Sequence, residues 1–150
     1  MTRHWSLPRV LVALVAVETT LGALMFDLVL GDTARQHLHN PAWPPHAKFH
    51  DAQYIVMSLG LGLLALVLLA GRGGDTRSRL LWAVGVLAVP WASMFLALLF
   101  TGTASYDSEF GGDTTFVLGM HGQLFMAVVT LVVLAVATVL ATTGPGRRTA

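Results

Sequence analysis

Nearly all the side chains able to do chemistry in this chain sit in a few short stretches. Four of its six histidines fall within "HLHNPAWPPHAKFH", residues 37 to 50. His46 and His50 are four apart, so on a helix they stack on one face, and Gln53 and Met57 continue the stripe. Two imidazoles at that spacing are a metal-binding arrangement. Asp51 points about 100° away from them. Pro44 and Pro45 fix φ and lack an N–H, so "NPAWPP" is a rigid lead into a helix starting at Pro45 or His46. Asn40 before Pro41 favours a turn. Trp43 suits the headgroup level of a bilayer, where its ring is apolar and its N–H stays wet. His37 and His39 precede the rigid turn and read as solvated loop.

Other ionisable residues interrupt apolar sequence. Glu18, in "VAVETTLGAL", is the most informative of them. A carboxylate at mid-bilayer costs several kcal/mol, so it faces the bundle interior, finds a partner or stays neutral. Gly22, one turn on, would let another helix approach closely. Asp27 is nine residues from Glu18, half a turn off at about 100° per residue. On a straight helix the two acids cannot both face inward, and Asp27 is expected to reach headgroups or water. His121, in "LGMHGQLFM", lies about 9 Å into an apolar segment counted from Thr115. Gln123 is on the other side of the same helix, while Gly119 and Gly122 leave room for a neighbouring backbone or a ligand. Pro90 should kink a third apolar segment.

The elements that must position these groups follow from composition. Of 150 residues, 55% are hydrophobic and 11% charged, against about a quarter charged in a soluble domain. Most of the outer face must therefore meet lipid. A bilayer core of about 30 Å needs roughly 20 apolar residues of helix. Four segments qualify, at about residues 10–30, 46–70, 80–100 and 115–142. The expected fold is all-α, one integral domain built as a transmembrane four-helix bundle. Arg3, Arg9, Arg72, Arg77, Arg79, Arg147 and Arg148 fall on one side of it. Asp107, Glu109 and Asp113 fall on the other, with Arg35, Lys48, Asp32 and Asp51. The positive-inside rule puts both termini in the cytoplasm. The result is a multi-pass protein, of the plasma membrane if the source is bacterial. A cleaved signal peptide is the rival reading of the N-terminus, but the apolar run continues past Glu18 to Leu30 without a small-residue cleavage site. The net charge of +1, with no basic patch, excludes nucleic acid as a partner. The absence of cysteine excludes disulfides, thiolate sites and iron–sulfur clusters.

The stretch from residue 37 to residue 50 resembles the signature of a family of small, uncharacterised four-span membrane proteins, H-x-x-N-P-x-W-P-P-H-A-x-F-H. Its fixed positions here are His37, Asn40, Pro41, Trp43, Pro44, Pro45, His46, Ala47, Phe49 and His50. The resemblance is dense over these fourteen residues and elsewhere rests on length and layout. It implies the four-span architecture and a role for the motif. Some members are labelled acetyltransferases, yet this chain has no acyl-coenzyme A signature and no soluble domain to hold one.

Three functions compete. A membrane-embedded enzyme would act on a lipid-like substrate from the outer leaflet, with Glu18 and His121 as catalytic acid–base groups. Asp51, Gln53, Trp43, His37 and Asn40 would support them. In its metal-assisted variant His46, His50 and His121 would hold zinc or non-haem iron. A binding or transport protein would handle protons through Glu18, or haem between His50 and His121. As a transporter, a chain of four spans would need a homo-oligomer. An accessory subunit without catalysis would use its polar residues only to meet a partner helix. The enzyme and accessory readings differ in one observable: whether Glu18, His46, His50 and His121 point into a common cavity.

Overall fold

The computed structural model describes residues 5–72 and 74–143; Arg3, Arg147 and Arg148 of the charge argument lie outside the described residues. Helix α1 (Leu7–Ala23) continues into a π-helical turn (Leu24–Val29), followed by the short α2 (Gly31–Ala34). Then come α3 (Pro45–Ala70), α4 (Thr76–Ala97), a 3₁₀ turn (Ser108–Phe110), the two-residue strands β1 (Phe116–Val117) and β2 (Met120–His121), and α5 (Gly122–Thr143). Among the described residues four helical segments are long and apolar enough to cross a membrane: Leu7–Val29, Pro45–Ala70, Thr76–Ala97 and Gly122–Thr143. The protein is an all-α transmembrane four-helix bundle. Each long helix packs on the next in sequence, and α5 packs back on α1, closing the ring.

Local chemistry sets the helix starts. Pro44 is extended (φ −64°, ψ 155°) and Pro45 occupies the first turn of α3, where a missing N–H costs nothing. At α4 the Asp75 side chain accepts the Arg77 N–H at 2.9 Å, an N-cap. The fourth span departs from expectation. Its helix begins at Gly122, not Thr115, because Phe116–His121 forms a hairpin pairing Phe116 with His121 and Val117 with Met120. Leu118 (φ 52°) and Gly119 (φ 78°) form its turn. Positive φ at both central residues is the geometry whose twist matches antiparallel strands.

The core is concentrated at the end where α1 begins and α5 ends. Val12 and Ala16 of α1 meet Ala65 and Leu69 of α3, Leu80, Ala83 and Leu87 of α4, and Leu134 and Ala137 of α5. Alanine is frequent among them, as expected where helices associate in lipid through close van der Waals packing. Midway along, α1 and α3 cross at Gly62. A Cβ there would lie 2.7 Å from Ala16 O and Thr20 N, and would overlap Thr20 Oγ1. Gly60 and Gly22, by contrast, have open space around them, so neither mediates a close helix approach. Large apolar side chains such as Val56, Val67, Trp82 and Val132 point outward, the surface expected of a lipid-facing bundle.

Candidate functional site

At the opposite end the helices part around a cavity of about 520 Å³. Glu18, Gly22, Phe26 and Asp27 line it from the first span. Tyr54 and Ser58 contribute from α3, and Pro90, Trp91 and Met94 from α4. His121, Gln123, Phe125 and Met126 close it from β2 and α5, and His37 reaches it from the loop after α2. The two acids lie nine residues apart, so the cavity runs along roughly 13 Å of the first span.

Glu18 marks its inner end. Thr130 of α5, buried, donates its hydroxyl to Glu18 Oε2 at 3.2 Å. One turn of wall beside it is fixed by Trp91, whose indole N–H donates to Thr19 Oγ1 at 2.9 Å. Asp27 marks the outer end and is only 4% exposed. The expectation that Asp27 reaches headgroups or water is thus corrected. The reason is the π turn, in which the Leu30 N–H bonds to Met25 O, five residues back, at 2.7 Å. A turn of that kind takes up more residues than an α turn. The phase gained between Glu18 and Asp27 therefore falls short of the straight-helix value, and both acids line one space.

His37, expected to be solvated, is also inside. Its Nδ1 lies 2.8 Å from Thr33 O and 3.7 Å from Asp27 Oδ1. A carbonyl only accepts, so Nδ1 carries the hydrogen, and a neutral His37 keeps its lone pair on Nε2. Asp27, Asp51 and His121 all lie within electrostatic reach of this ring. His37 is braced by Trp43, whose ring stands edge-on at 6.1 Å. The Trp43 N–H in turn donates to Asp107 Oδ2 at 3.3 Å, tying the histidine loop to the acidic loop. Asn40 is buried, and its Oδ1 accepts the Ala42 N–H at 2.8 Å, the side-chain turn that Asn before Pro favours.

His121 lies in β2 at the edge of the cavity, and not two turns inside a helix as expected. Tyr106 stacks on it at 6.0 Å and Phe116 meets it edge-on at 6.3 Å. Burial, reinforced by the nearby His37, holds its imidazole below the ordinary value. It is thereby favoured neutral near pH 7. Its Nδ1 is buried without a hydrogen-bond partner, a condition that costs about 1–3 kcal/mol and that a ligand hydroxyl would relieve.

His46 and His50 do not join this cavity. Their rings meet edge-on along an exposed face of α3, Nε2 to Nε2 at 3.1 Å, with His50 Nδ1 3.3 Å from Gln53 Oε1. The expected metal set of His46, His50 and His121 is therefore not assembled, nor is a His50–His121 pair for haem. Among the described residues no group of three or more histidine, aspartate or glutamate side chains is placed to share a metal ion. Of the expected principal residues, the cavity unites Glu18 and His121. Asp27 and Tyr54 are the residues sequence reasoning missed, while His37, expected only in a supporting place on a solvated loop, lines the cavity itself.

The model of a family of unknown function, DUF6640, matches residues 11–139. No curated protein and no solved structure matches the chain.

Proposed function

The chain belongs to this family of unknown function, and on that premise we propose that it is a membrane-embedded acid–base enzyme acting on an amphiphilic, lipid-like small molecule. The observation that carries the reading is the convergence of Glu18, Asp27, His37, Tyr54 and His121 on a single cavity. Its volume of about 520 Å³ falls in the range of small-molecule sites, which are mostly apolar with a few convergent polar groups. Phe26, Trp91, Met94, Phe125 and Met126 suit a hydrocarbon body. The polar head would meet His37, Asp27 and His121. The His37 Nε2 lone pair is the base in this scheme, Asp27 steadies the imidazolium that forms, and Glu18 exchanges a proton at the far end of the ligand.

We place the Arg72, Arg77 and Arg79 end in the cytoplasm. The head-binding end then lies at the outer leaflet, and in a bacterial source the membrane is the plasma membrane.

The test uses the full chain purified in nanodiscs formed from its own membrane. Mass spectrometry is expected to find about one amphiphile per wild-type chain. Gly22 lines the cavity with open space around it, so Gly22→Leu is expected to displace the ligand without lowering the melting temperature. In deuterated water the wild type is expected to exchange ligand hydrogens, and Glu18→Gln and His37→Gln to slow that exchange. Absence of any retained amphiphile would overturn the site. Retention without exchange in the wild type would overturn the enzyme reading and leave a binding protein.

A further inference from the structure

We propose that His46 and His50 form a separate two-histidine site for a divalent first-row transition cation, outside the cavity, on the exposed first turns of α3. Four features carry it. Both rings are exposed and four residues apart on one helix face. Their Nε2 atoms stand 3.1 Å apart, close to the roughly 3.3 Å that separates two ligands each about 2.0–2.1 Å from a tetrahedral zinc centre. His50 Nδ1 faces Gln53 Oε1 at 3.3 Å. The amide oxygen accepts, so that nitrogen carries the hydrogen and the His50 lone pair is on Nε2, turned towards His46. A carbonyl on the far nitrogen is also the outer-shell contact that orients a ligating imidazole. Finally, the helix is held from its start by the extended Pro44 and by Pro45 in its first turn, so the pair is already ordered.

Without a cation, one ring must donate its Nε2–H to the other. With both rings in the tautomer that His50 adopts, two lone pairs face each other, and a cation between them is what makes that arrangement favourable. Imidazole nitrogen suits zinc, copper and nickel. Water completes the coordination, since two protein ligands leave two tetrahedral positions open. Lys48, two residues from each histidine, is about 200° round the helix from both and faces away.

The experiment is titration of zinc into the full chain, purified without a polyhistidine tag and freed of metal, in nanodiscs of uncharged lipid. One saturable equivalent is expected. His46→Ala and His50→Ala should each abolish it, and Gln53→Ala should weaken it by about tenfold. His39→Ala and His121→Ala should leave it unchanged. Wild-type chain that takes up no zinc, or zinc binding that survives in both His46→Ala and His50→Ala, overturns the site. Both histidines are exposed, so alanine at either is expected to leave the melting temperature unchanged. Where it does not, His46→Gln and His50→Gln repeat the comparison in side chains of similar size.

Discussion

The two ends of the bundle use the same four helices in opposite ways. At the end marked by Arg72, Arg77 and Arg79, the helices meet through Val12, Ala16, Ala65, Leu69, Leu87 and Ala137. At the histidine end they separate around Glu18, Asp27, His37 and His121. In lipid there is no hydrophobic drive to bring helices together, so close packing of small side chains does the holding. The packed end is what allows the other end to stay open. Ionisable groups in a membrane are costly, and a gap between helices forfeits contacts. Gly62, crossing Ala16 and Thr20, is the waist where one regime gives way to the other.

That division can be broken deliberately. The largest effect is expected from Leu87→Ala in the packed end, where Leu87 is fully buried. Truncating a buried leucine costs about 2–5 kcal/mol, and guanidinium or thermal unfolding in nanodiscs would measure it. Gly62→Ala comes next. Its methyl would collide with backbone atoms of α1, and overpacking of this kind costs about 1–3 kcal/mol. The same unfolding assay should show it, with loss of cavity ligand as α1 and α3 move apart.

A smaller effect comes from pH. His121 is held below the ordinary imidazole value of 6.5 by burial and by His37, so the unfolded chain takes up a proton before the folded one does. The stability His121 supports is complete above 6.5 and is lost as the pH falls from there through the lowered value. Melting temperatures between pH 7.5 and pH 5 should fall more steeply for the wild type than for His121→Gln. The smallest effect belongs to the hairpin tip. Leu118 is 88% exposed with φ 52°, a conformation glycine adopts without strain. Leu118→Gly should raise stability by at most about 1 kcal/mol, since glycine also loosens the unfolded chain.

Much of this was legible beforehand, for physical reasons. The four spans follow from apolar length alone. Glu18 announces itself because one carboxylate in hydrocarbon needs a reason, and the meeting of His46 with His50 on one helix face follows from their spacing. What could not be read is the direction that face takes, since a pair beside a proline turn is equally compatible with the interior and with water. Periodicity turns Asp27 outward because it assumes a uniform helix, and a π turn shifts every later side chain. His37 reads as solvated because loops are solvated by default, and its contact with Asp27 is made across the end of the π turn and the short α2, a path periodicity does not foresee. Apolar length starts the fourth span too early because Phe116, Val117 and Met120 are as apolar as the helix they precede. The Leu118–Gly119 pair was the turn signal within that run.

On this reading the acids and imidazoles of the histidine end surround one amphiphile. The most direct test is an electron-density or cryo-EM map of the protein with its membrane lipids retained. Elongated density is expected to run from Glu18 and Thr130, past Trp91 and Phe125, to His37 and His121. A map in which that space holds only water, or is closed by side chains of α1 and α5, would contradict it.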